Sequence, residues 1–191
     1  MSNHTVLALS GSLRADSHNT ALLRAAQKYS GGLDIEIYDG LREIPPYDRD
    51  FDTPDRRPGA VADLRRRITA ADGLLIATPE YNYSIPGVLE NALDWVSTDW
   101  TKIEGLPLLR KPIAILGAAP TQFGSVRAQL ALRQVFVWTN SDVVAKPEVI
   151  AFRSHERFDD AGNLVDEATI ELLEDLLAVL SVKIERAQGQ S

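Results

Sequence analysis

The feature that most constrains this chain is a regular alternation of short, wholly apolar runs with amphipathic segments of helical period. Thr5-Val6-Leu7-Ala8-Leu9-Ser10, residues 73–78 and residues 112–118 are aliphatic stretches without polar alternation, the composition of strands buried on both faces. Between and after them come segments with apolar residues on one helical face. These are residues 19–29 (Leu22, Leu23, Ala26), 60–71 (Val61, Leu64, Ile68), 88–96, 125–139 and 166–187 (Ile170, Leu173, Leu177, Leu180, Ile184). Residues 33–38 alternate Ile35 and Ile37 with acids, as a half-exposed edge strand does, and residues 143–152 read as a strand interrupted by Pro147. Strand and helix thus alternate five times. The pattern predicts an α/β fold, a doubly wound five-stranded parallel sheet with helices on both faces and right-handed crossovers. No linker, repeat or composition break divides it, so residues 1–191 are expected to form one domain. One segment stands apart: residues 39–59 carry Pro45, Pro46, Pro54 and Pro58 among acids and arginines. A loop of that length is expected to be a lid, a binding loop or an interface element.

Charge narrows the partners. Twenty Lys and Arg against 27 Asp and Glu give a net charge of −7. Such a surface repels phosphate backbones and anionic headgroups, so neither nucleic acid nor a membrane surface is an expected partner. The absence of cysteine removes disulfides, thiolate metal sites and Cys nucleophiles together. No positive charge precedes the short apolar run at residues 6–9, and no apolar stretch approaches the ~20 residues that cross a bilayer. A cytoplasmic location is therefore expected.

In an open parallel sheet, ligands bind beyond the carboxyl ends of the strands, where the strand order reverses. Three loops fall there. The first is Ser10-Gly11-Ser12-Leu13-Arg14-Ala15-Asp16-Ser17-His18-Asn19, which gathers hydroxyls, one amide side chain and one guanidinium where a helix begins. That set suits a phosphate, with Arg14 supplying charge and a planar fork. It equally suits a plain strand–helix turn capped by Ser17 or Asn19. The loop has neither Gly-x-Gly-x-x-Gly nor Gly-Lys-Ser/Thr, so a terminal monophosphate fits better than a dinucleotide pyrophosphate, and Asp16 should point away from it. The second loop, Thr78-Pro79-Glu80-Tyr81-Asn82-Tyr83-Ser84-Ile85-Pro86-Gly87, is stiffened by two prolines and offers two tyrosines. It can hydrogen-bond and pack against a flat heteroaromatic ring, or simply start a helix through Ser84 and Pro86. The third is Gly117-Ala118-Ala119-Pro120-Thr121-Gln122-Phe123-Gly124.

Taken together, Gly11-Ser12-Leu13-Arg14 with Ser17 and Asn19, and Pro79-Glu80-Tyr81-Asn82 with Ser84-Ile85-Pro86-Gly87, resemble the NADPH-dependent FMN reductase family, which includes bacterial quinone, chromate and azo reductases. The likeness continues through Ile44-Pro45-Pro46-Tyr47-Asp48, Val126-Arg127-Ala128-Gln129, Leu132-Arg133, Lys146-Pro147-Glu148, Phe158-Asp159 and Asp166-Glu167-Ala168-Thr169. The resemblance implies a flavodoxin-like fold that binds FMN. It implies that Ser12, Arg14, Ser17 and Asn19 hold the FMN phosphate, that Pro79, Glu80, Tyr81 and Asn82 line the isoalloxazine ring, and that backbone contacts from Ala118 reach the flavin edge. It further implies that hydride passes from NADPH or NADH to the flavin, which delivers electrons to a small-molecule acceptor such as a quinone. No catalytic acid or base is expected. The sequence departs from the family pattern at Ala119, Thr121 and Gln122, where the family commonly has serine and glycines, and at Glu90, where it usually has lysine.

Two other readings fit the same loops: a flavodoxin-type electron carrier without a nicotinamide site, and a nucleotide-binding regulatory domain. Arg14 weighs against the carrier, whose phosphate loops resemble hydroxyl-rich turns without such a cation. No metal is expected. Asp48-x-Asp50-x-Asp52 lacks the Gly and Glu of a calcium loop (Thr53 and Gly59 stand there), and His4, His18 and His155 have no ligand spacing. His18 could add a donor to the phosphate loop or be an ordinary turn residue. Trp95, Trp100 and Trp138 are core residues or interface anchors. Aromatics grouped with the Pro-rich segment, and the resemblance, point to a homodimer or homotetramer with the flavin near the subunit boundary.

Overall fold

A computed structural model describes residues 4–189. Its elements follow the expected alternation: β1 (Thr5–Ser10), α1 (His18–Lys28), β2 (Asp34–Tyr38), α2 (Gly59–Ala70), β3 (Gly73–Ala77), α3 (Gly87–Val96), β4 (Pro112–Ala118), α4 (Val126–Trp138), β5 (Asp142–Val143), β6 (Val149–Ala151) and α5 (Glu167–Gln188). The strands run parallel in the order β2-β1-β3-β4-β5, with β6 also on β4. The fifth strand position is therefore filled in two pieces. β5 pairs with Pro112 and Ile113 of β4, and β6 pairs with Leu116, Gly117 and Ala118. Pro147 lies between them and has no N–H to give to a ladder, which is why the single run read from sequence is split.

Side chains of each strand point alternately to the two faces, so a strand apolar throughout needs cover on both. Val6, Ala8, Leu75, Ala77, Ala114 and Leu116 pack under α1 and α5. Leu7, Leu9, Leu74, Ile76, Ile113 and Ile115 pack under α2, α3 and α4. Every residue of β3 and β4 is buried. On α5 the buried stripe is Thr169, Leu173, Leu176, Leu177, Leu180 and Ile184, with Ile170 only partly covered.

The segment 39–58 is packed down rather than free. Leu41 and Ile44 are buried in the second core layer. The Pro45 carbonyl accepts from both Trp95 Nε1 (2.8 Å) and Asn91 Nδ2 (2.9 Å), and Tyr47 N–H donates to Asn91 Oδ1 (2.7 Å). Further along, buried Asp52 pairs with Arg57, and Arg65 reaches the carbonyls of Trp95, Thr98 and Gly105. Trp95 is thus a core residue, whereas Trp100 and Trp138 are 51% and 78% exposed. No described helix is long and apolar enough to cross a membrane.

Candidate functional site

Strand order reverses between β1 and β3, because β2 lies to one side of β1 and β3, β4 and β5 to the other. The loops leaving β1 and β3 flank that switch point. The first begins at Gly11, whose N–H donates to the Ala77 carbonyl at 2.8 Å. A Cβ at Gly11 would stand 3.1 Å from Leu89 and 3.2 Å from Pro79, so the loop lies tight against the second one. Ser10 Oγ and Thr20 Oγ1, 2.9 Å apart, tie its base to α1. Ser17 is the N-cap of α1, accepting from the Asn19 N–H (3.2 Å) and the Thr20 N–H (3.4 Å). Its hydroxyl proton remains free to donate. The first turn of α1 carries no acid, and the Ser17 and His18 amides have no acceptor among the described residues. A helix start of this kind attracts an anion.

The third loop is joined to α1 by one side chain. Asn19, nearly buried, donates Nδ2–H to the Ala118 carbonyl and accepts from the Ala118 N–H, each at 2.9 Å. The Ala118 N–H is thereby used up, while its carbonyl keeps one lone pair and Asn19 keeps one amide hydrogen. Gly117 fits here only because it lacks a side chain: a Cβ would fall 2.1 Å from Ser125 Oγ and 2.3 Å from the Thr78 carbonyl. The rest of the loop is laced to the chain after β6, with Ala119 N–H donating to Ala151 and the amides of Arg153 and Ser154 donating to Thr121 and Ala119. The departures at Ala119 and Thr121 leave this lacing intact, because it runs through the main chain.

The second loop is a miniature hairpin. Tyr81 and Ser84 exchange backbone hydrogen bonds of 3.1 and 2.9 Å, and Asn82 (φ 51°) and Tyr83 (φ 64°) both sit in the left-handed region. Two central residues with positive φ define a tight primed turn, which Asn tolerates and Tyr does not favour. Tyr81 and Tyr83 are 45% and 71% exposed on this turn. Glu80 faces the other way: its carboxylate accepts from the Arg127 N–H (2.9 Å) and pairs with the Arg127 guanidinium (2.5 Å). The same guanidinium lies 4.1 Å from the Tyr83 ring centroid and 4.7 Å from that of Phe123. Glu80 therefore anchors its loop to the start of α4.

Between the three loops lies a small cavity of about 90 Å³ lined by Ser12, Arg14, Ser17, His18, Asn19, Pro79, Glu80, Tyr81, Ala118, Ala119, Pro120 and Ser154. Beside it, sharing Arg14 and Tyr81, is an apolar cleft of about 540 Å³ walled by Gly11, Leu13, Pro86, Gly87 and Val88. Eight of the nine residues singled out from sequence meet in the cavity; Asn82 stands off it, at the hairpin tip. Asp16 is exposed and outside the lining, as expected. Sequence reasoning gave Ser154 and Arg127 no role and left His18 undecided. His18 and Ser154 are 136 residues apart, and only the fold joins them. On α3, Glu90 and Asp94 are four residues apart and neither forms an ion pair among the described residues; burial, and for Glu90 also the Asp94 charge, raises both carboxyls above their usual range. No group of three or more metal-ligating side chains occurs among the described residues.

Comparison with known proteins gives a consistent result. A family model described as NADPH-dependent FMN reductase matches residues 4–156. An NAD(P)H-dependent FMN reductase of Pseudomonas aeruginosa is 42% identical over 96% of this chain and 97% of its own length. An NADPH:quinone oxidoreductase of Arabidopsis thaliana is 39% identical over 97% of this chain and 94% of its own. Among solved structures, the flavoenzyme NAD(P)H:(acceptor) oxidoreductase FerB of Paracoccus denitrificans superposes with a TM-score of 0.84 at 30% identity, covering 96% of this chain and 98% of that one.

Proposed function

Since the chain belongs to the NADPH-dependent FMN reductase family, we infer that it works as an NAD(P)H-dependent flavin oxidoreductase, with FMN as cofactor and a small molecule as final electron acceptor. The observation that carries the site assignment is the convergence of Ser12, Arg14, Ser17 and Asn19 with Pro79, Glu80, Tyr81 and Ala118 around one cavity at the switch point. FMN, when bound, would supply the redox chemistry, namely hydride acceptance from a nicotinamide and onward electron transfer.

The chain's own residues bind and orient. The donors fit a terminal phosphate: the Ser12 and Ser17 hydroxyls, the Arg14 guanidinium, the unengaged amides at the start of α1 and the spare amide hydrogen of Asn19. Pro79, Glu80 and Tyr81 form the ring-side wall, with Asn82 beyond it at the hairpin tip, and the tight turn and the Glu80–Arg127 pair behind keep that wall rigid. The Ala118 carbonyl, with one lone pair unused, is placed to meet the flavin edge. No side chain is assigned as a general acid or base, because hydride transfer between the two rings requires none. The adjoining apolar cleft fits a flat ring better than a charged one, in keeping with a quinone acceptor.

The same reading takes residues 1–191 as one flavin-binding domain and the protein as cytoplasmic. It also takes the protein as a homodimer or homotetramer. Leu130, Val137 and Trp138 of α4, at 53%, 80% and 78% exposure, supply an uncovered apolar stripe that a second copy would bury. Flavin fluorescence titration tests the site. FMN should bind at least about tenfold tighter than riboflavin, which lacks the phosphate. Equal affinities would contradict the phosphate assignment.

A further inference from the structure

We propose that His18 is a further ligand of the cofactor phosphate and makes retention of the phosphorylated flavin depend on pH. This rests on the reading of the cavity as a phosphate site. The His18 ring is fixed on two sides: it stacks on Phe158 with centroids 4.6 Å apart and planes 8° apart, and its Nδ1 lies 2.8 Å from Ser154 Oγ. Ser154 is itself buried, and its N–H is bound to the Ala119 carbonyl, so the hydroxyl that orients the imidazole belongs to the wall of the same cavity. With Nδ1 engaged, Nε2 is the ring's remaining polar atom. His18 is also the first residue of α1, beside the Ser17 hydroxyl and the free helix amides. A hydrogen bond to one ring nitrogen that leaves the other for a ligand is the usual way a histidine is prepared for its partner.

The charged groups around His18 decide the sign. They are Arg14 from its own loop and His155 from the turn after β6. Without a ligand, burial, then Arg14, then His155 hold the His18 imidazole below its usual value, so it is neutral at pH 7. A phosphate dianion placed between Arg14 and His18 reverses that balance and favours the imidazolium. A group whose pKa rises on binding strengthens binding as pH falls through the bound value. Below about pH 6 the phosphate takes up its own second proton and the gain fades. FMN affinity should therefore rise and then fall as the solution is acidified.

The test is fluorescence titration of the full chain with FMN and with riboflavin from about pH 8 down to about pH 5.5, the range in which imidazole and phosphate titrate. For FMN, the expected result is a roughly five- to tenfold gain in affinity between about pH 8 and about pH 6.5. Riboflavin should show no gain. His18→Phe keeps a flat ring against Phe158 and should abolish the rise, while His155→Gln should keep it. A parental profile in His18→Phe, or the same rise with riboflavin, would overturn the proposal. FMN binding no tighter than riboflavin at every pH would instead remove the phosphate site itself, and the proposal with it. A measurement on the parent needs no variant: the His18 ring titration, followed by NMR, should move to higher pH on adding FMN and stay in place on adding riboflavin.

Discussion

Asn19 grips both main-chain polar groups of Ala118, donating to the carbonyl and accepting from the N–H at 2.9 Å in each direction. This one side chain fastens the start of α1 to the end of β4 across the mouth of the cavity. The first and third loops are thereby held at a fixed separation before any ligand arrives. The arrangement is preorganisation in a literal sense, since ordering is done by folding rather than by binding.

The first prediction follows from that clamp. Asn19→Ala removes two hydrogen bonds and strands a buried N–H and a buried C=O of Ala118, which is 2% exposed. Each unmade bond to a buried group costs about 1–3 kcal/mol, so the variant should lose about 2–5 kcal/mol in urea unfolding and bind FMN more weakly as well. Asn19→Asp keeps the size but loses the Nδ2 donor and faces the Ala118 carbonyl with a carboxylate, so it should not restore stability.

Arg14 is exposed and makes no ion pair among the described residues, so its removal should leave folding unchanged. Arg14→Ala should weaken FMN binding by roughly ten- to a hundredfold, the worth of one charge-assisted contact, and hardly alter riboflavin binding. Isothermal titration with both ligands checks this. Unchanged FMN affinity would remove Arg14 from the site.

Glu90 and Asp94 give a pH prediction. Burial, then the neighbouring Asp94 charge, raises Glu90. A carboxyl with a raised folded pKa destabilises the native state when ionised, so the penalty is present above the folded value and disappears below the unfolded one. Glu90→Gln should raise the melting temperature at pH 7 by about 1–2 °C, with the advantage shrinking as pH falls toward about 4. Glu90→Lys should do at least as well, since it places a cation four residues from Asp94. Thermal melts across pH decide; no gain at pH 7 would show the pair to be relaxed in solution.

The uncovered stripe on α4 leads to a prediction about assembly. Light scattering should give a mass of two or four chains of 21.0 kDa, and Trp138→Glu together with Val137→Glu should lower it without unfolding the protein. A parent mass of one chain would remove the oligomer from the account.

Where sequence and structure agree, the agreement has a local cause. β4 spans the residues read from sequence, because an apolar run bounded by Lys111 and by a turn has only one way to sit in a covered parallel sheet. The same holds for Val61, Leu64 and Ile68 on α2. Disagreement arises where long-range contacts decide. The fifth strand runs in two pieces around Pro147, and segment 39–58 is fastened by Trp95 and Asn91, some fifty residues away in the chain. The site shows the same division. Hydroxyls and a guanidinium at a strand–helix turn are legible because their chemistry is local. The use of Asn19 as a clamp, of Glu80 as an anchor for Arg127, and of Ser154 to orient His18 is not, because each partner arrives from another strand end.

The most direct test of the central claim is spectroscopic. Protein loaded with FMN and mixed with NADPH or NADH in the absence of oxygen should lose its flavin absorbance near completion with about one equivalent of the nicotinamide, the stoichiometry of a hydride donor. Adding a small quinone should restore the absorbance. If neither nicotinamide bleaches the flavin while dithionite does, the chain carries electrons without accepting them from NAD(P)H, and its assignment as a reductase is contradicted.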